Sequence, residues 1–223
     1  MAEEEDHAYT LLLPDGSKIH RSRGFSGNGK TTYENTETYD GDFVDGVRIG
    51  QGSYSYRNGD SYTGGFDENR KHGFGKLKYS DKPAEEGGDD EAEVIPSKIG
   101  TYHGYFADGN KHGEGTFRYS NGDIYSGGWS KGKKHGKGTY VFKDDGSRFS
   151  GAWDNGEFTT GQWLLKSGAS FTGNFKFNKP NGAGAWTLPN GAVVPGEDRQ
   201  TVEAAEEEGA PPISVKSLWV ANN

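Results

Sequence analysis

Gly24 to Thr31 has the residue types and spacing of a phosphate-binding loop. The segment reads GFSGNGKT, which matches the pattern of two glycines separated by four residues and followed by Lys30 and Thr31. In such a loop the backbone amides and the lysine hold phosphates, and the hydroxyl binds magnesium. That chemistry needs an apolar strand before the loop and a helix after it, and the flanking residues predict neither. Gly27 and Gly29 also belong to another pattern, described below, so nucleotide binding is disfavoured.

Three histidines recur at equivalent places in the sequence: His72, His112 and His135. If each lies on a successive β-hairpin, neighbouring histidines are about 10 Å apart, two strand spacings. Zinc–nitrogen bonds are about 2 Å long, so neighbours cannot share one ion. We therefore expect turn histidines that pack against the adjacent strand and bond to backbone, and no metal site.

The remaining chemistry-bearing residues do not form a catalytic set. The chain has no cysteine, which excludes a thiolate nucleophile, a disulfide framework and cysteine-ligated metal. No G-x-S-x-G motif is present, and about half of the carboxylates fall in three acidic segments. We predict no catalytic, cofactor-binding or metal-binding residues, no cofactor, and a protein that is not an enzyme.

A repeat of 22 to 24 residues organises most of the chain. Its clearest copy runs from Tyr125 through Gly127, Trp129 and His135-Gly136-Lys-Gly138 to Tyr140. Five other copies start with an aromatic residue in the same frame, and a weaker one ends at Tyr33. The five are those starting at Tyr39, Tyr62, Tyr102, Phe149 and Phe171.

Each repeat predicts two short β-strands. In Tyr125-Ser-Gly127-Gly-Trp129 the large residues and a glycine recur at every second position, so they share one face of a strand. Asn-Gly and Asp-Gly pairs between the strands favour hairpin turns, since both residues adopt positive φ at low cost. Those pairs are Asn58-Gly59, Asn121-Gly122, Asp145-Gly146, Asn155-Gly156 and Asn190-Gly191.

The composition favours a thin sheet over a thick aliphatic core. Only 30% of the residues are hydrophobic, but the chain has 12 Tyr, 12 Phe and 5 Trp beside 37 Gly. Large rings can then lie flat on glycine backbone, and stacking of hairpins supplies the stability that one hairpin lacks. We predict an all-β fold: a single-layer, elongated, twisted sheet of six to seven consecutive hairpins, similar to a solenoid.

An aromatic stripe on one face of this sheet is the predicted partner-binding site. With no second layer to cover it, we expect part of the stripe to line a groove, and exposed aromatic stripes mark partner sites. The competing interpretation is that the rings only pack on one another. The stripe consists of Tyr39, Phe43, Tyr54, Tyr62, Phe66, Tyr102, Phe106, Phe117, Tyr125, Trp129, Tyr140, Phe142, Phe149, Trp153, Trp163, Phe171, Phe175 and Trp186.

The distribution of charged residues divides the chain into a repeat array and acidic segments. We predict an N-terminal segment at 1–24, a repeat array at 25–196 with an acidic insertion at 81–98, and an acidic C-terminal tail at 197–223. The net charge is −8, and the acidic segments leave the array mildly basic. A ridge of bases could meet anionic lipid or acidic tails, although a solvated ridge is favoured. Its members are Arg70, Lys71, Lys111, Lys131, Lys133 and Lys134.

The repeat, Y-x-G-x-W-x-x-G-x-x-H-G-x-G-x-x-x-Y-x-x-G, resembles the MORN repeat (membrane occupation and recognition nexus) over roughly residues 25–194. The first, fifth and sixth copies lack the histidine, and the last two resemble a capping end. Three segments indicate a narrower family within the MORN-repeat proteins: GSRFSGAWDNGEFTTGQW, SFTGNFKFNKPNG and the C-terminal Ser217-Leu218-Trp219. In that order they resemble the radial spoke head protein 1 family of motile cilia, and the small size resembles its compact relatives of the radial spoke protein 10 type.

This resemblance implies a structural, non-catalytic subunit of the radial spoke head that scaffolds other spoke head proteins in the ciliary or flagellar axoneme. We expect an intracellular, soluble protein of the cytoplasm and cytoskeleton, with no transmembrane segment and no nucleic-acid partner. The alternative is a MORN adaptor that binds anionic lipid or cytoskeleton at membrane contacts. A regulatory module separated from its enzyme is disfavoured. Strand addition at the ends of the array is a second way for partners to dock.

Overall fold

The computed structural model describes residues 9–80, 99–203, 212 and 214–222. They form two compact bodies, one ending at Ser120 and one starting at Asn121. The predicted acidic insertion at 81–98 and residues 204–211 of the predicted tail lie outside the described residues. None of the described segments is a helix long and apolar enough to cross a membrane.

The strands follow one another along the chain in both bodies. The N-terminal body contains β1 (Tyr9–Leu12), β2 (Lys18–Ile19), β3 (Gly27–Tyr33), β4 (Thr38–Val44), β5 (Val47–Ser55), β6 (Ser61–Asp67), β7 (Arg70–Tyr79), β8 (Gly100–Ala107) and β9 (Asn110–Tyr119). The C-terminal body contains β10 (Ile124–Ser130), β11 (Lys133–Val141), β12 (Arg148–Asp154), β13 (Glu157–Leu164), β14 (Ser170–Lys176), β15 (Lys179–Thr187), β16 (Val193–Glu203) and β17 (Ser214–Ala221).

Within each body, every strand from β3 onward pairs antiparallel with its neighbours in sequence. The exception to strict order is at the start, where β1 pairs with both β2 and β3. The predicted all-β fold of consecutive hairpins is confirmed.

A file of directly opposed glycines crosses the strands of each body. The register places one glycine of each strand opposite one glycine of the next, so two Cβ-free backbones face each other. In the N-terminal body the file is Gly29, Gly41, Gly52, Gly64, Gly75, Gly104 and Gly115. In the C-terminal body it is Gly127, Gly138, Gly151, Gly161, Gly173, Gly184 and Gly196.

A tyrosine ring covers each regular glycine pair. The Tyr62 ring lies over Gly64 and Gly75, and a Cβ atom on Gly75 would be 2.6 Å from its Cε2 atom. The Tyr62 hydroxyl donates a hydrogen bond to the carbonyl of Gly65 at 2.8 Å, which fixes the ring in this position. The equivalent hydrogen bond, from the tyrosine hydroxyl to the backbone carbonyl three residues later, is made by Tyr39, Tyr102 and Tyr125 at 2.9, 3.0 and 2.9 Å.

The rings of successive repeats pack on each other to form the core. Tyr62 makes edge-to-face contacts with Phe66 of its own repeat at 5.2 Å and with Phe106 of the next at 5.1 Å. Each such pair contributes about 0.5–1.5 kcal/mol beyond the area that it buries. Tyr62 is fully buried, so aromatic side chains on one face of a sheet bury one another without a second layer of secondary structure.

The last two repeats keep the glycine pairs but change the ring. Phe149 lacks the hydroxyl, and Phe158 covers Gly151 and Gly161 from the opposite strand. Phe158 stacks on Phe149 at 4.8 Å and is almost completely buried. In the fifth repeat a second phenylalanine therefore replaces the hydrogen bond that positions the tyrosines, whereas in the sixth Phe171 itself lies over Gly173 and Gly184.

Two kinds of turn alternate along the sheet. The tight turn inside a repeat has two successive residues with positive φ, as at Asn155 and Gly156 (49° and 93°). In the turn between repeats, as at Asn58-Gly59, only the glycine has positive φ, 85°. The predicted turn positions are thus correct, but among the predicted pairs only Asn155-Gly156 has the two-residue geometry expected of all of them.

A carboxylate connects each turn between repeats to the next one. Asp60 accepts a hydrogen bond from the backbone N–H of Ser80 at 2.7 Å, and Asp123 accepts one from Lys143 at 2.8 Å. Glu37 does the same for Arg57 at 3.3 Å. Because donor and acceptor are 20 residues apart in each case, these bonds hold neighbouring hairpins in register.

Strands also lie beyond the predicted limits of the array. β1 and β2 belong to the predicted N-terminal segment, and β16 runs through residues 196 and 197, where the array was predicted to end. β17 continues the antiparallel pairing. The boundaries of the predicted domains remain predictions.

We expect Gly75→Ala to destabilise the N-terminal body by about 1–3 kcal/mol, the range for overpacking a tight core. The backbone of Gly75 suits any residue, so the loss would come from the clash of the new methyl group with the Tyr62 ring. Urea unfolding measures it. Gly73→Asn is the control, because Gly73 has positive φ but open space around it and asparagine tolerates that conformation. Equal stability of Gly75→Ala and the wild type would contradict the ring-over-glycine core.

Candidate functional site

The predicted partner-binding face is more deeply buried than the sequence suggested. Four of its members, Tyr140, Phe142, Trp163 and Trp186, are partly exposed. The others are buried: Tyr39, Phe43, Tyr54, Tyr62, Phe66, Tyr102, Phe106, Phe117, Tyr125, Trp129, Phe149, Trp153, Phe171 and Phe175. The rings thus form the core, and only the four exposed side chains remain available to a partner. The binding role of the face stays a prediction.

The four partly exposed rings, here called the accessible strip, all lie in the C-terminal body. Trp163 and Trp186 are neighbours, with ring centroids 6.2 Å apart. Tyr140 packs on Phe142 at 4.8 Å, and its hydroxyl donates to Asp123 at 2.6 Å. Phe149 connects the two pairs, since it touches Phe142 at 5.4 Å and Trp163 at 5.7 Å.

The N-terminal body has a related set of partly exposed rings that the predicted face omits. Tyr33, Tyr56 and Tyr79 are each half-buried near the end of a strand. Burial raises the pKa of Tyr79 to about 12, so its hydroxyl stays protonated at neutral pH. These residues are the last aromatic position of their repeats, and the alternation that identified Tyr54 also places Tyr56 on the same face.

Each of the first four repeats holds a cation in a cage of rings. The Arg48 guanidinium lies 5.0 Å from the Tyr54 ring and 5.6 Å from Tyr39. Lys71 lies near Tyr56 and Tyr62, and its ammonium donates to the Tyr56 hydroxyl at 3.2 Å. The remaining two cage cations are Lys111 and Lys134.

The register shows why these cations meet rings. Each is directly opposite the second aromatic residue of its repeat, in the pairs Phe43–Arg48, Phe66–Lys71, Phe106–Lys111 and Trp129–Lys134. Each cation lies four residues before a glycine of the file. Because side chains alternate between the two faces of a strand, the cation therefore lies on the face that carries the rings. Three members of the predicted basic ridge, Lys71, Lys111 and Lys134, therefore do not form a solvated ridge.

Lys134 is the most desolvated of the cage cations. Its ammonium lies 4.3, 5.0 and 5.6 Å from the centroids of Trp153, Tyr140 and Tyr125. Burial lowers the pKa of Lys134 to about 8. Contacts with ring faces offset part of this cost, by about 0.5–2 kcal/mol per ring.

The repeat geometry agrees with a comparison against protein families. The MORN repeat model matches residues 39–61, 62–82, 102–124, 125–147 and 171–193, just over half of the chain. The chain belongs to the MORN-repeat family. The unmatched copy, starting at Phe149, is the MORN-like repeat in which Phe158 takes the place of the cage cation.

Comparisons with whole proteins give less information about this chain than the family model does. No curated protein matches the sequence significantly. Among solved structures, the chain is similar to the TCP domain of Drosophila melanogaster SAS-4 in complex with a proline-rich motif of Ana2. The identity is 15%, the TM-score is 0.44, and 87% of this chain and 92% of that one are covered. The second similar structure is the TCP10 domain of Danio rerio CPAP in complex with a STIL peptide (11% identity, TM-score 0.34, coverage 94% and 99%).

The histidines of the MORN repeats are not turn residues. His72, His112 and His135 lie within β7, β9 and β11 and are exposed. His135 faces Asp154 at 3.2 Å. Across residues 9–80, 99–203 and 214–222, no group of three potential ligands could hold a metal ion. Gly27 to Thr31 of the phosphate-loop match lie in strand β3, without the helix N-terminus which that motif requires.

The other predicted ridge residues, Arg70, Lys131 and Lys133, are exposed. In the N-terminal body, alternation along β7 puts Arg70 on the face opposite to that of Lys71, and Arg70 pairs with Glu68 at 3.2 Å and Asp108 at 3.5 Å. The same face of this body exposes Phe74 and Tyr105, whose rings contact each other at 5.3 Å. In the C-terminal body, Lys131 lies in the turn before β11, and Lys133 is the first residue of β11.

We expect the stability contributed by Lys134 to rise between about pH 8 and 10. The unfolded chain binds a proton to this lysine up to its ordinary pKa of about 10.4, whereas the folded chain releases it near pH 8. Protons are thus bound more tightly in the unfolded state, and the penalty for burying the charge disappears as pH rises. Relative to Lys134→Met, the wild type should gain about 1–3 kcal/mol across this range.

The measurement is the unfolding free energy of both proteins at several pH values. Lys133→Met is the matched control, because Lys133 is exposed beside Lys134, and its difference from the wild type should stay constant. A constant difference for Lys134→Met as well would show that the buried ammonium keeps its ordinary pKa.

Proposed function

We propose that this MORN protein is a non-catalytic scaffold whose accessible strip binds segments of partner proteins. The MORN-repeat fold is typical of protein-interaction and structural proteins. The observation that carries the proposal is the location of Phe142, Trp163 and Trp186. Large rings that are partly exposed and adjacent on one face are the side chains that most often dominate the energy of an interface.

We further propose that the partners are other radial spoke head proteins of the ciliary or flagellar axoneme. The support is the sequence resemblance: the order of the fifth and sixth repeats, the Asn178-Lys-Pro180 turn and the C-terminal Ser217-Leu218-Trp219. A spoke head is a permanent multi-subunit assembly. A packed β-sheet body with a few accessible rings suits such an assembly, because its binding surface needs little reordering when a partner docks.

The edge of β17 is a second surface for the same scaffold. Among the described residues its backbone pairs only with β16, and Leu218 is 65% exposed. An extended segment of a neighbouring subunit could add to this edge through main-chain hydrogen bonds.

The alternative, a lipid-binding adaptor, has weaker support from the structure. Three of the six bases on which it depends are held against rings, and Arg70 is paired with carboxylates. Lys131 and Lys133 alone would give a modest attraction to anionic lipid, about 1 kcal/mol each.

The test is isolation of the tagged full-length chain from axonemes of ciliated cells, with mass-spectrometric identification of what co-purifies. Trp163→Ala/Trp186→Ala should reduce recovery of spoke head proteins by about tenfold or more, the effect of losing interface tryptophans. Phe74→Ala/Tyr105→Ala is the matched control, since it removes two exposed rings that do not belong to the accessible strip. Thermal unfolding of each variant shows that the loss is not one of folding.

Recovery of the chain with membranes and without spoke proteins would exclude the axonemal role. Recovery of spoke proteins at the same level with the tryptophan variant would exclude the accessible strip as their binding site.

A further inference from the structure

The ring cage of the last repeat lacks the cation that the first four cages contain. In the β14–β15 hairpin, Pro180 is directly opposite Phe175. Arg48 and Lys71 occupy the same place opposite Phe43 and Phe66. The position that supplies a positive charge earlier in the array is therefore apolar here.

The same cage has a carboxylate in place of a ring. Asp198 is opposite Gly182 in the β15–β16 register, which is the place of Phe66 opposite Gly50 and of Trp153 opposite Gly136. Each of these residues is two positions after a glycine of the file. The last cage thus reverses the usual charge: a cation is lost and an anion is gained.

Asp198 is a buried carboxylate with no cationic partner among the residues that the structure describes. Its exposure is 6%, and burial raises its pKa. Its side chain bonds to Ser217, yet Oδ1 has no hydrogen-bond partner among the described residues. A buried carboxylate in this state costs several kcal/mol unless it is protonated or paired.

A second unsatisfied oxygen lies on the same side of β16. Gln200 is two residues beyond Asp198, and its amide nitrogen donates to the carbonyls of Lys176, Lys179 and Pro180 at 3.1, 3.2 and 2.8 Å. Its carbonyl oxygen Oε1 is buried and, within the described part of the chain, unpaired. Two acceptors on one face of β16 therefore lack donors.

Trp219 is directly opposite Asp198 in the β16–β17 register, and it belongs to a group of packed rings. Phe171 contacts Trp186 at 5.5 Å and Trp219 at 5.7 Å, and the Trp219 ring lies over Gly196, two residues before Asp198. Rings beside an unpaired carboxylate are the complement of a guanidinium, which stacks on aromatic faces and offers several donors in a fixed plane. The compact ammonium of a lysine would bridge two separate acceptors less well.

We propose that this end cage, formed by Phe171, Pro180, Trp186, Asp198 and Trp219, binds an arginine side chain supplied by a partner protein. The guanidinium replaces the cation that the chain provides in its earlier repeats. It donates to Asp198 and to Gln200 and lies against the indole rings. Trp186 and Trp219 are partly exposed, so their side chains form the entrance.

The lysines next to the end cage are engaged elsewhere. Lys179 donates to the backbone carbonyl of Val215. The Lys176 ammonium lies over the Phe177 ring, 5.1 Å from its centroid. Neither contributes to the electrostatic environment of Asp198, so these two lysines leave its charge uncompensated.

The inference deepens the proposed function and rests on it, because Trp186 belongs to the accessible strip. It specifies what the partner presents: an arginine flanked by residues that can cover the indole rings.

The test uses the full chain with ¹⁵N-labelled tryptophan and the peptide Ac-Gly-Arg-Gly-amide as the probe. NMR titration should give saturable shifts of the Trp186 and Trp219 indole N–H signals, assigned with single Trp→Phe variants. Ac-Gly-citrulline-Gly-amide has the same shape without the charge and should bind at least about tenfold more weakly.

Two variants locate the binding. Asp198→Asn should weaken binding of the arginine peptide about tenfold and should leave the melting temperature equal or higher, because it removes an unpaired buried charge. Pro180→Lys restores the internal cation of the earlier repeats and should abolish binding while raising the melting temperature. Asp154→Asn, an exposed carboxylate, is the control and should leave binding unchanged.

Equal affinity for the arginine and citrulline peptides would contradict the proposal that the end cage binds arginine. Unchanged affinity of Pro180→Lys for the arginine peptide would contradict it as well. If Asp198→Asn fails to fold, the Pro180→Lys result alone decides. If the peptide does not bind but recovery of spoke proteins still depends on Trp163 and Trp186, the inference fails and the proposed function stands. If the peptide binds through Asp198 but no spoke protein is recovered, the proposed partners are wrong and the arginine site stands.

Discussion

The contact of one aromatic ring with two facing glycines is the interaction on which the rest of this structure depends. Tyr62 can lie flat only because Gly64 and Gly75 both lack Cβ, and its hydroxyl then reaches the Gly65 carbonyl. A ring held in this way presents its edge and face to the next repeat. The core is therefore built from one repeat to the next, and each hairpin depends on its neighbour, as expected of repeat proteins.

The rings also decide where charge can lie in the array. A residue four positions before a file glycine falls among two or three rings, so a cation there is both desolvated and stabilised by the ring faces. The first four repeats use this position for Arg48, Lys71, Lys111 and Lys134. The sixth fills it with Pro180, and in the fifth Phe158 takes the place opposite Trp153, three positions before Gly161. One scaffold thus presents caged cations in most repeats and a reversed charge at its end.

Much of this arrangement could be predicted from the spacing of aromatic residues and glycines. The alternation in Tyr62, Gly64 and Phe66 specified the strands, the shared face and the repeat. Burial could not be predicted in the same way, because it depends on the edge-to-face packing of rings from different repeats, as between Tyr62 and Phe106. The same alternation separates Lys71, which shares the face of Gly75, from Arg70, which does not. Grouping these neighbours as one basic ridge ignored that two-residue period.

The end of the array shows how departures from a repeat can create function without new machinery. An ionised, unpaired carboxylate at Asp198 lowers the stability of the free chain, and a cation that enters the cage removes this cost while the carboxylate stays ionised. A neutral ligand would leave the cost in place, so discrimination comes from the buried oxygen and not from the contact area. The first four repeats do not need an external cation, because each supplies its own. Function is therefore most expected where the pattern that builds the core is broken.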